Sequence, residues 1–304
     1  MSSRPLWRTA ALVCFLLFST PGELRSAGFP PSSRCAIQYP SDARVDWGCR
    51  RLRARETLET LFGNQWVDVA RFNRIDRRHA FPGIFLKVPK HLEDVANFTP
   101  MPQEYPSAAG EAKFILIDLA EQFLGAYEHG RLAFSAPVAT GERRNETPAG
   151  EFTITAAHHH HHSSRYTIEK TSIPYPMNYA LRFYINREGV AFWIHGRDVP
   201  GYPASHGCIG LYDEAMQARY YGYPRKPILE DAKILYNWVL SPLPENEKYR
   251  ILDNGPRMLI VGRAPAPLRR LSQDGPRTRP SSRIAPETAH QTAWPVSPDA
   301  APAR

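Results

Sequence analysis

Short apolar runs separated by polar turns constrain the fold of this chain more than any other feature of its sequence. The runs are Phe114–Asp118, Phe123–Tyr127, Leu132–Val138, Phe152–Thr155, Ala180–Ile185 and Val190–His195. Short strands at such spacing are typical of two packed sheets. The sequence therefore predicts an α+β protein whose main part, over residues 113–263, is a mainly-β sandwich.

A predicted hairpin joins the last two runs through the turn Asn-Arg-Glu-Gly at residues 186–189. Gly189 can adopt the positive φ that such turns require. The second strand of the hairpin then ends at His195, and a strand end is a rigid mount for a functional side chain. Flanking helices are predicted from Asp213 to Tyr221 and from Asp231 to Leu240, and a closing strand is predicted over Arg257–Gly262.

The second half of the chain contains a single cysteine, Cys208, with His195 and His206 close to it in sequence. A thiol is a useful nucleophile only as thiolate, and a nearby imidazole is the usual way to produce one. Gly196 and Gly207 would let backbone N–H groups approach a tetrahedral intermediate. A buried, inert cysteine beside structural histidines is the alternative. The compact order His-Gly, then Ser-His-Gly-Cys, favours a catalytic thiol.

These residues resemble the active-site signature of the L,D-transpeptidase (YkuD) family, in which His-Gly is followed after a loop by Ser/Thr-His-Gly-Cys. A second motif of that family, Thr-Pro-x-Gly-x-Phe, is matched by Thr147–Phe152. The resemblance covers roughly residues 113–262. It implies a YkuD-like sandwich and an enzyme that forms a Cys208 thioester with a peptidoglycan stem peptide. An amine acceptor then resolves the thioester, which gives 3–3 cross-links or attaches another amine.

The resemblance also implies a role for each residue of the motif. Cys208 is the expected nucleophile and His195 the expected general base. His206 is expected to be structural or to support the oxyanion, and Ser205 is expected to brace the loop by hydrogen bonding. Trapping by a carbapenem is expected for the same reason, because the strained lactam carbonyl mimics the scissile amide.

Two departures from the family pattern affect substrate contacts. Gly210 stands where the family usually has Arg or Asn, and the loop from His195 to Ser205 is shorter than usual. Substrate binding is therefore assigned to the neighbourhood of Gly210, with Arg197, Arg182 or Arg219 as substitutes for the missing side chain. Each of these arginines could equally be an ordinary surface charge.

Residues 44–90 predict a small βααβ module. Its predicted strands are 44–47 and 84–89, and its helices are 52–62 and 66–72. This order resembles a LysM domain, which binds N-acetylglucosamine-containing glycans. A helical cap packed on the next domain is the alternative. Residues 28–43 precede the module, and a linker is predicted over 91–112, so that deleting 28–96 is expected to spare acylation of Cys208.

The chain termini predict export. Residues 1–27 read as a signal peptide with an apolar core too short to cross a bilayer, so the mature protein is not expected to span the membrane. Removal of the signal peptide leaves three cysteines. Cys35 and Cys49 are close in sequence and are expected to pair, which leaves Cys208 free. Residues 264–304 are a basic, Pro- and Arg-rich tail that is predicted to be disordered. The expected location is the periplasm or the cell wall.

Partners and alternatives follow from these observations. The formal net charge of +8 is spread out, which disfavours nucleic acid and suits anionic wall polymers. No cofactor or catalytic metal is predicted, and five histidines at 158–162 are expected to lie on a loop and to bind metal at most adventitiously. Two other functions remain open: an L,D-carboxypeptidase or amide hydrolase on the same scaffold, and a non-catalytic LysM wall-binding protein.

Overall fold

Two five-stranded sheets with a shared apolar core form the larger part of the structure, as the spacing of the apolar runs predicts. The computed structural model describes residues 33–168, 170–242 and 248–266, which lie within one compact unit. The predicted signal peptide and most of the predicted tail lie outside these residues. Among the described helices, none combines the length and the apolar character needed to cross a membrane.

The described strands are β1 Trp47–Arg51, β2 Phe85–Pro89, β3 Phe114–Asp118, β4 Phe123–Glu128, β5 Arg131–Pro137, β6 Gly150–Thr153, β7 Ala156–Thr167, β8 Pro174–Ile185, β9 Ala191–Arg197, β10 Ile209–Tyr212, β11 Arg250–Ile251 and β12 Arg257–Val261. The α-helices are α1 Leu58–Phe62, α2 Trp66–Phe72, α3 Glu214–Tyr221 and α4 Asp231–Leu240. One sheet has the order β10-β9-β8-β7-β11 and the other β5-β4-β3-β12-β6. The pairs β9/β10 and β3/β12 are parallel, and the other pairs are antiparallel.

Alternating side chains place one face of each sheet in the common core. Ile115 and Ile117 of β3 meet Ile194 of β9 and Leu211 of β10, and Leu235 of α4 covers the same cluster. All five are almost fully buried. Successive side chains of a strand point to opposite faces of the sheet. The side chains of β9 and β10 that do not enter this core therefore lie on the other face.

The histidine tract is not on a loop, contrary to the sequence prediction. It lies inside β7, where His158 pairs with Ala180 and His161 with Met177 of β8. Histidine has no marked strand preference of its own, and here the neighbouring strand supplies the backbone partners. The tract is therefore part of the sheet.

The N-terminal module has the predicted order of strand, helix, helix and strand, with β1 and β2 antiparallel. Two of its boundaries differ from the prediction. The first strand begins only at Trp47, because residues 40–44 form a 3-10 helix. The first helix begins only at Leu58, because Leu52 continues the strand ladder, donating its N–H to Ile84 O and accepting one from Gly83.

A disulfide joins Cys35 to Cys49, with 6.0 Å between the two Cα atoms. Cys35 belongs to a short 3-10 helix and is fully buried, and Cys49 lies in β1. The bond ties the segment before the module to its first strand. Cys208 is a free thiol.

The module packs against the sandwich and shares an apolar cluster with it. Its apolar cluster, which contains Phe72 and Ile75, also contains Val199, Tyr212 and Leu229 of the larger part. The predicted linker is packed as well: Met101 is buried, and Tyr105 stacks on Phe114 with ring centroids 5.6 Å apart. Removal of the module would expose this shared core.

Candidate active site

His195, Gly210 and Cys208 meet on the face of the β9/β10 pair that is turned away from the main core. The parallel register places Ile209 beside Ile194 and Gly210 beside His195. Since Ile194 and Ile209 point into the core, His195 and Gly210 face the other way. Cys208 immediately precedes β10 and packs against the small cluster of Trp193 and its neighbours on that face.

His195 is a buried, neutral imidazole. It lies two residues before the end of β9, rather than at the strand end as predicted. Its Nδ1 donates a hydrogen bond to Gly196 O at 2.8 Å, so the proton must sit on Nδ1 and the lone pair on Nε2. Burial lowers the pKa of His195 to about 3, and the charge of Arg197 acts in the same direction. The ring is therefore uncharged at neutral pH.

Cys208 is a half-buried free thiol. Burial raises the pKa of Cys208, while the backbone N–H of Trp193 and the charge of Arg197 act to lower it. Among the described residues, no hydrogen bond joins the thiol to His195. Catalytic contacts of this kind are often loose before substrate binds.

Ser205 braces the loop that leads to the cysteine. We call residues 198–208, which connect β9 to β10, the catalytic loop. Ser205 is fully buried, and its Oγ donates to Cys208 O at 2.5 Å and accepts from Gly207 N at 3.0 Å. The Gly207 N–H is thus engaged by Ser205, so the oxyanion role predicted for Gly207 does not fit this arrangement.

The two glycines of the motif are required by space and by backbone conformation. Gly207 has φ +113°, and a β-carbon there would lie 2.2 Å from Phe192 Cε1. A β-carbon on Gly196 would lie 2.3 Å from Asp213 Oδ2. That carboxylate is held by Asn178 Nδ2 at 3.0 Å, and its other oxygen caps α3 at Met216 N. Both glycines therefore permit close packing around the catalytic loop.

Thr147 is a site residue whose role the sequence analysis missed, although its motif was recognised. Its hydroxyl accepts from Gly141 N at 2.8 Å and donates to Gly207 O at 2.9 Å. Thr147 is buried. The Thr-Pro-x-Gly motif thus contacts Gly207, the residue next to Cys208, and this hydrogen bond connects the two motifs in the folded protein.

His206 is exposed and does not reach into the core of the site. Its ring stacks on Tyr166 of β7 with centroids 4.3 Å apart, and its Nε2 lies 3.9 Å from a carboxylate oxygen of Glu142. The far end of the β7–β8 hairpin therefore covers this corner of the catalytic loop. These contacts fit the structural role expected for His206.

The three candidate arginines occupy different places. Arg197 extends over Gly210 and bonds to carbonyls of the catalytic loop. Arg182 of β8 donates from Nε to Thr155 Oγ1 at 3.1 Å, and its guanidinium lies 5.9 Å from the Trp193 ring. Arg219 lies on α3, with its guanidinium 5.4 Å from the Tyr220 ring. Of the three arginines, Arg197 is therefore the one whose side chain lies against Gly210.

Asp76, His79 and Asp198 form the one group of three possible metal ligands that the described residues bring within 4.8 Å. Their oxygens already have protein partners. Asp76 accepts from Val199 N at 2.7 Å and from Gln217 Nε2 at 2.8 Å, and Gln217 also donates to Asp198. The group is best described as a hydrogen-bond network that holds the start of the catalytic loop.

Two histidines of the tract lie on the same face as the thiol. The Nδ1 atoms of His158 and His161 are 3.2 Å apart, and the His161 ring packs on Trp193 at 4.4 Å. Burial lowers the pKa of His161 to about 4. Both rings are therefore part of the wall beside the site and not of a metal-binding loop.

The family comparison agrees with this site. Residues 112–261 match the family model of YkuD, the L,D-transpeptidase catalytic domain. This range holds β3 to β12, including Thr147, His195 and the catalytic loop with Cys208. The protein is an enzyme of the L,D-transpeptidase class. Its residues 112–261 form a YkuD catalytic domain. No curated protein matches the sequence at a significant level.

Several solved structures are similar to this chain. An L,D-transpeptidase from Stackebrandtia nassauensis is 20% identical over 67% of this chain and 69% of that chain, with a TM-score of 0.36. One from Xylanimonas cellulosilytica is 22% identical over 64% and 79%, also with a TM-score of 0.36. L,D-transpeptidase 3 from Mycobacterium tuberculosis, in complex with a faropenem-derived adduct, is 19% identical over 49% and 60%, with a TM-score of 0.31. Scores of this size support no structural argument, so the assignment rests on the family model.

Proposed function

We propose that this protein is an exported cysteine L,D-transpeptidase that acts on peptidoglycan stem peptides through a thioester on Cys208. One observation carries the proposal. Within a YkuD domain, a free thiol and a neutral, buried imidazole with its lone pair on Nε2 share one face of neighbouring strands. This is the pairing of nucleophile and base that acyl transfer through sulfur requires.

The reaction divides into two balanced steps. His195 Nε2 accepts the Cys208 proton while the sulfur attacks the carbonyl of the third residue of a donor stem. The C–N bond breaks, the imidazolium returns its proton to the departing terminal D-amino acid, and a thioester remains. An acceptor amine then attacks the thioester and loses a proton to His195. The new amide leaves, and Cys208 recovers its proton from His195.

Product analysis tests the proposal. Peptidoglycan incubated with the protein should yield 3→3 linked muropeptides on digestion, and the Cys208→Ala variant should yield none. Tripeptide stems formed at the same rate with and without an added amine acceptor would instead identify an L,D-carboxypeptidase. If the wild-type protein yields neither product while Cys208 still reacts with thiol reagents, the transpeptidase proposal is wrong.

Export is a further part of the proposal. The predicted signal at residues 1–27 supports it, and so does the Cys35–Cys49 disulfide, because such bonds persist in oxidising compartments. Fractionation of cells that express the full chain should place the mature protein in the periplasm or the cell wall. An N-terminal sequence that starts near residue 28 would support cleavage, and retention in the cytosol would contradict export.

The last part of the proposal is that the N-terminal module binds glycans. The order β1-α1-α2-β2 supports a LysM-like role, and the surface cleft lined by Arg51–Ala54, Pro82 and Gly83 is the place where we propose that a sugar chain binds. Because deletion of the module would expose the shared apolar cluster, the Ala54→Trp variant provides the test. It should sediment less with insoluble peptidoglycan and leave Cys208 reactivity unchanged. Unchanged sedimentation would contradict the LysM-like role.

A further inference from the structure

Gly210 leaves a gap that the side chain of Arg197 fills. A β-carbon added to Gly210 would lie 1.9 Å from both Cγ and Cδ of Arg197, and 3.1 Å from Nε. The guanidinium end is held in place and cannot easily give way, so no side chain fits at residue 210 unless Arg197 moves. The position of the Arg197 side chain therefore depends on the absence of a side chain at Gly210.

The two residues lie on the face that carries the thiol. Cys208 packs against Trp193, which lies two residues before His195 on β9 and so faces the same way, and Gly210 lies beside His195. His195 and Arg197 are likewise two apart on β9. The aliphatic part of Arg197 therefore crosses from β9 to β10 on the Cys208 side of the sheet.

Backbone carbonyls of the catalytic loop fix the guanidinium. Nε donates to Asp198 O at 3.2 Å and Nη2 to Ala204 O at 3.1 Å. Arginine has five N–H donors and cannot lose its charge at ordinary pH. The two carbonyls are neutral, so the positive charge is not cancelled by these contacts.

Other titratable or charged groups also face this region. They are His158 and His161 of β7, Tyr175 and Arg182 of β8, His195 of β9, and Asp198 and His206 of the catalytic loop. The carboxylate of Asp198 is engaged by Gln217 and lies 3.4 Å from Arg78. Arg197 is the charged side chain that acts on Cys208, lowering the pKa of the thiol against the effect of burial.

We propose that Gly210 and Arg197 act as a pair, in which Gly210 makes room for Arg197 and Arg197 supplies the positive charge that stabilises the Cys208 thiolate. Arg197 is thereby a positioning residue that acts through the nucleophile. A catalytic role for this pair rests on the proposed function. The effect of Arg197 on the reactivity of the Cys208 thiol can be measured whether or not the protein is a transpeptidase.

The test measures the pH dependence of Cys208 alkylation by iodoacetamide, in which the thiolate forms an S–C bond and iodide leaves. Arg197→Gln should move the midpoint of the rate profile upward by about 1 pH unit, a typical effect of removing a nearby opposite charge. Arg197→Lys should stay close to wild type, because it keeps the charge. Arg187→Gln, in the exposed turn of the β8–β9 hairpin, is the matched control and should not move the midpoint.

Two further variants test the pairing with Gly210. Gly210→Ala should displace Arg197 and shift the midpoint in the same direction as Arg197→Gln. The double exchange Arg197→Gly with Gly210→Arg returns a guanidinium to the same face and should recover most of the shift. Thermal unfolding of each variant shows whether it is folded. A wild-type midpoint in folded Arg197→Gln would overturn the proposal, whatever the products formed from peptidoglycan.

Discussion

At the scale of single residues, burial keeps both members of the proposed catalytic pair, Cys208 and His195, neutral. It raises the pKa of Cys208 and lowers the pKa of His195 to about 3. The resting site therefore holds a thiol and an imidazole, not an ion pair. The charged pair forms only when the proton moves from sulfur to Nε2, and a substrate that excludes water strengthens this interaction.

Replacing Cys208 by Ala should abolish turnover and leave the fold intact. His195→Ala should slow acylation by roughly 10²–10⁴-fold, the usual contribution of a general base. Intact-protein mass spectrometry with a carbapenem should show one drug adduct on wild type and none on Cys208→Ala. His206→Ala is the comparison variant, and it should keep most of the activity because its ring is exposed. A larger loss in His206→Ala than in His195→Ala would reverse the assignment of the base.

The rate of adduct formation should rise with pH beyond neutrality. Thiolate forms only above the raised pKa of Cys208, whereas His195 is already neutral at every pH above its own pKa of about 3. The apparent values belong to the coupled pair, so a profile between about pH 5 and 10 should show a single ascending limb. Stopped-time mass spectrometry would give the rates. A separate ascending limb near the ordinary pKa of histidine would show that His195 titrates there.

At the scale of structural elements, the catalytic loop is held from three sides. Thr147 bonds to Gly207 O, Ser205 Oγ bonds to the backbone of Gly207 and Cys208, and Asp76 of the N-terminal module bonds to Val199 N. Each bond ends on loop backbone. The loop can therefore keep Gly207 at φ +113°, a conformation that other residues adopt rarely.

Thr147→Val should destabilise the loop by about 1–3 kcal/mol, because it leaves Gly141 N–H and Gly207 C=O without their buried partner. Acylation of Cys208 should slow in parallel, since Gly207 adjoins the nucleophile. Thr147→Ser keeps the hydroxyl and is the control. Urea unfolding and carbapenem acylation are the two measurements. Wild-type values for Thr147→Val in both would mean that the hydroxyl contributes nothing to the site.

At the scale of the whole molecule, buried ion pairs join the N-terminal module to the sandwich. Arg74 is fully buried and donates to Glu121 Oε2 at 2.9 Å. Arg77 donates from Nε to Glu214 Oε1 at 2.7 Å, and Glu214 opens α3 just after β10. The module thus reaches the elements that carry the nucleophile, in addition to sharing their apolar core.

Arg77→Met should lower the free energy of unfolding by about 3 kcal/mol or more, because it leaves the Glu214 carboxylate buried without its cation. Arg257→Met is the matched control. It breaks the exposed contact between Arg257 and Glu111 and should leave unfolding close to wild type. Urea denaturation followed by circular dichroism measures both. An equal loss of unfolding free energy in the two variants would mean that burial does not increase the contribution of the Arg77–Glu214 ion pair to stability.

Deleting residues 28–96 should unfold the catalytic part or make it insoluble, since Val199, Tyr212 and Leu229 would lose their apolar partners. Circular dichroism and carbapenem acylation of the truncated chain would show this. A soluble truncated protein whose Cys208 is acylated at the wild-type rate would show that the catalytic part folds without the module.

Much of the fold is encoded in local signals that can be read along the chain. The hairpin at residues 186–189 turns at Gly189, with φ +77°. Helix α3 follows its cap Asp213 and ends at Tyr221, as predicted, with Gly222 after it in the left-handed conformation. Caps, tight turns and contiguous motifs work over a few residues, so their physical causes are present in the sequence itself.

Other features depend on residues that are distant in the sequence. The histidine tract becomes a strand because β8 supplies its hydrogen-bond partners, and nothing within the tract indicates this. Arg77 and Glu214 are 137 residues apart, and the contact of Arg197 with Gly210 depends on the parallel pairing of β9 and β10. Such contacts arise when the chain packs, because the partner that determines each residue's place comes close only in the folded protein.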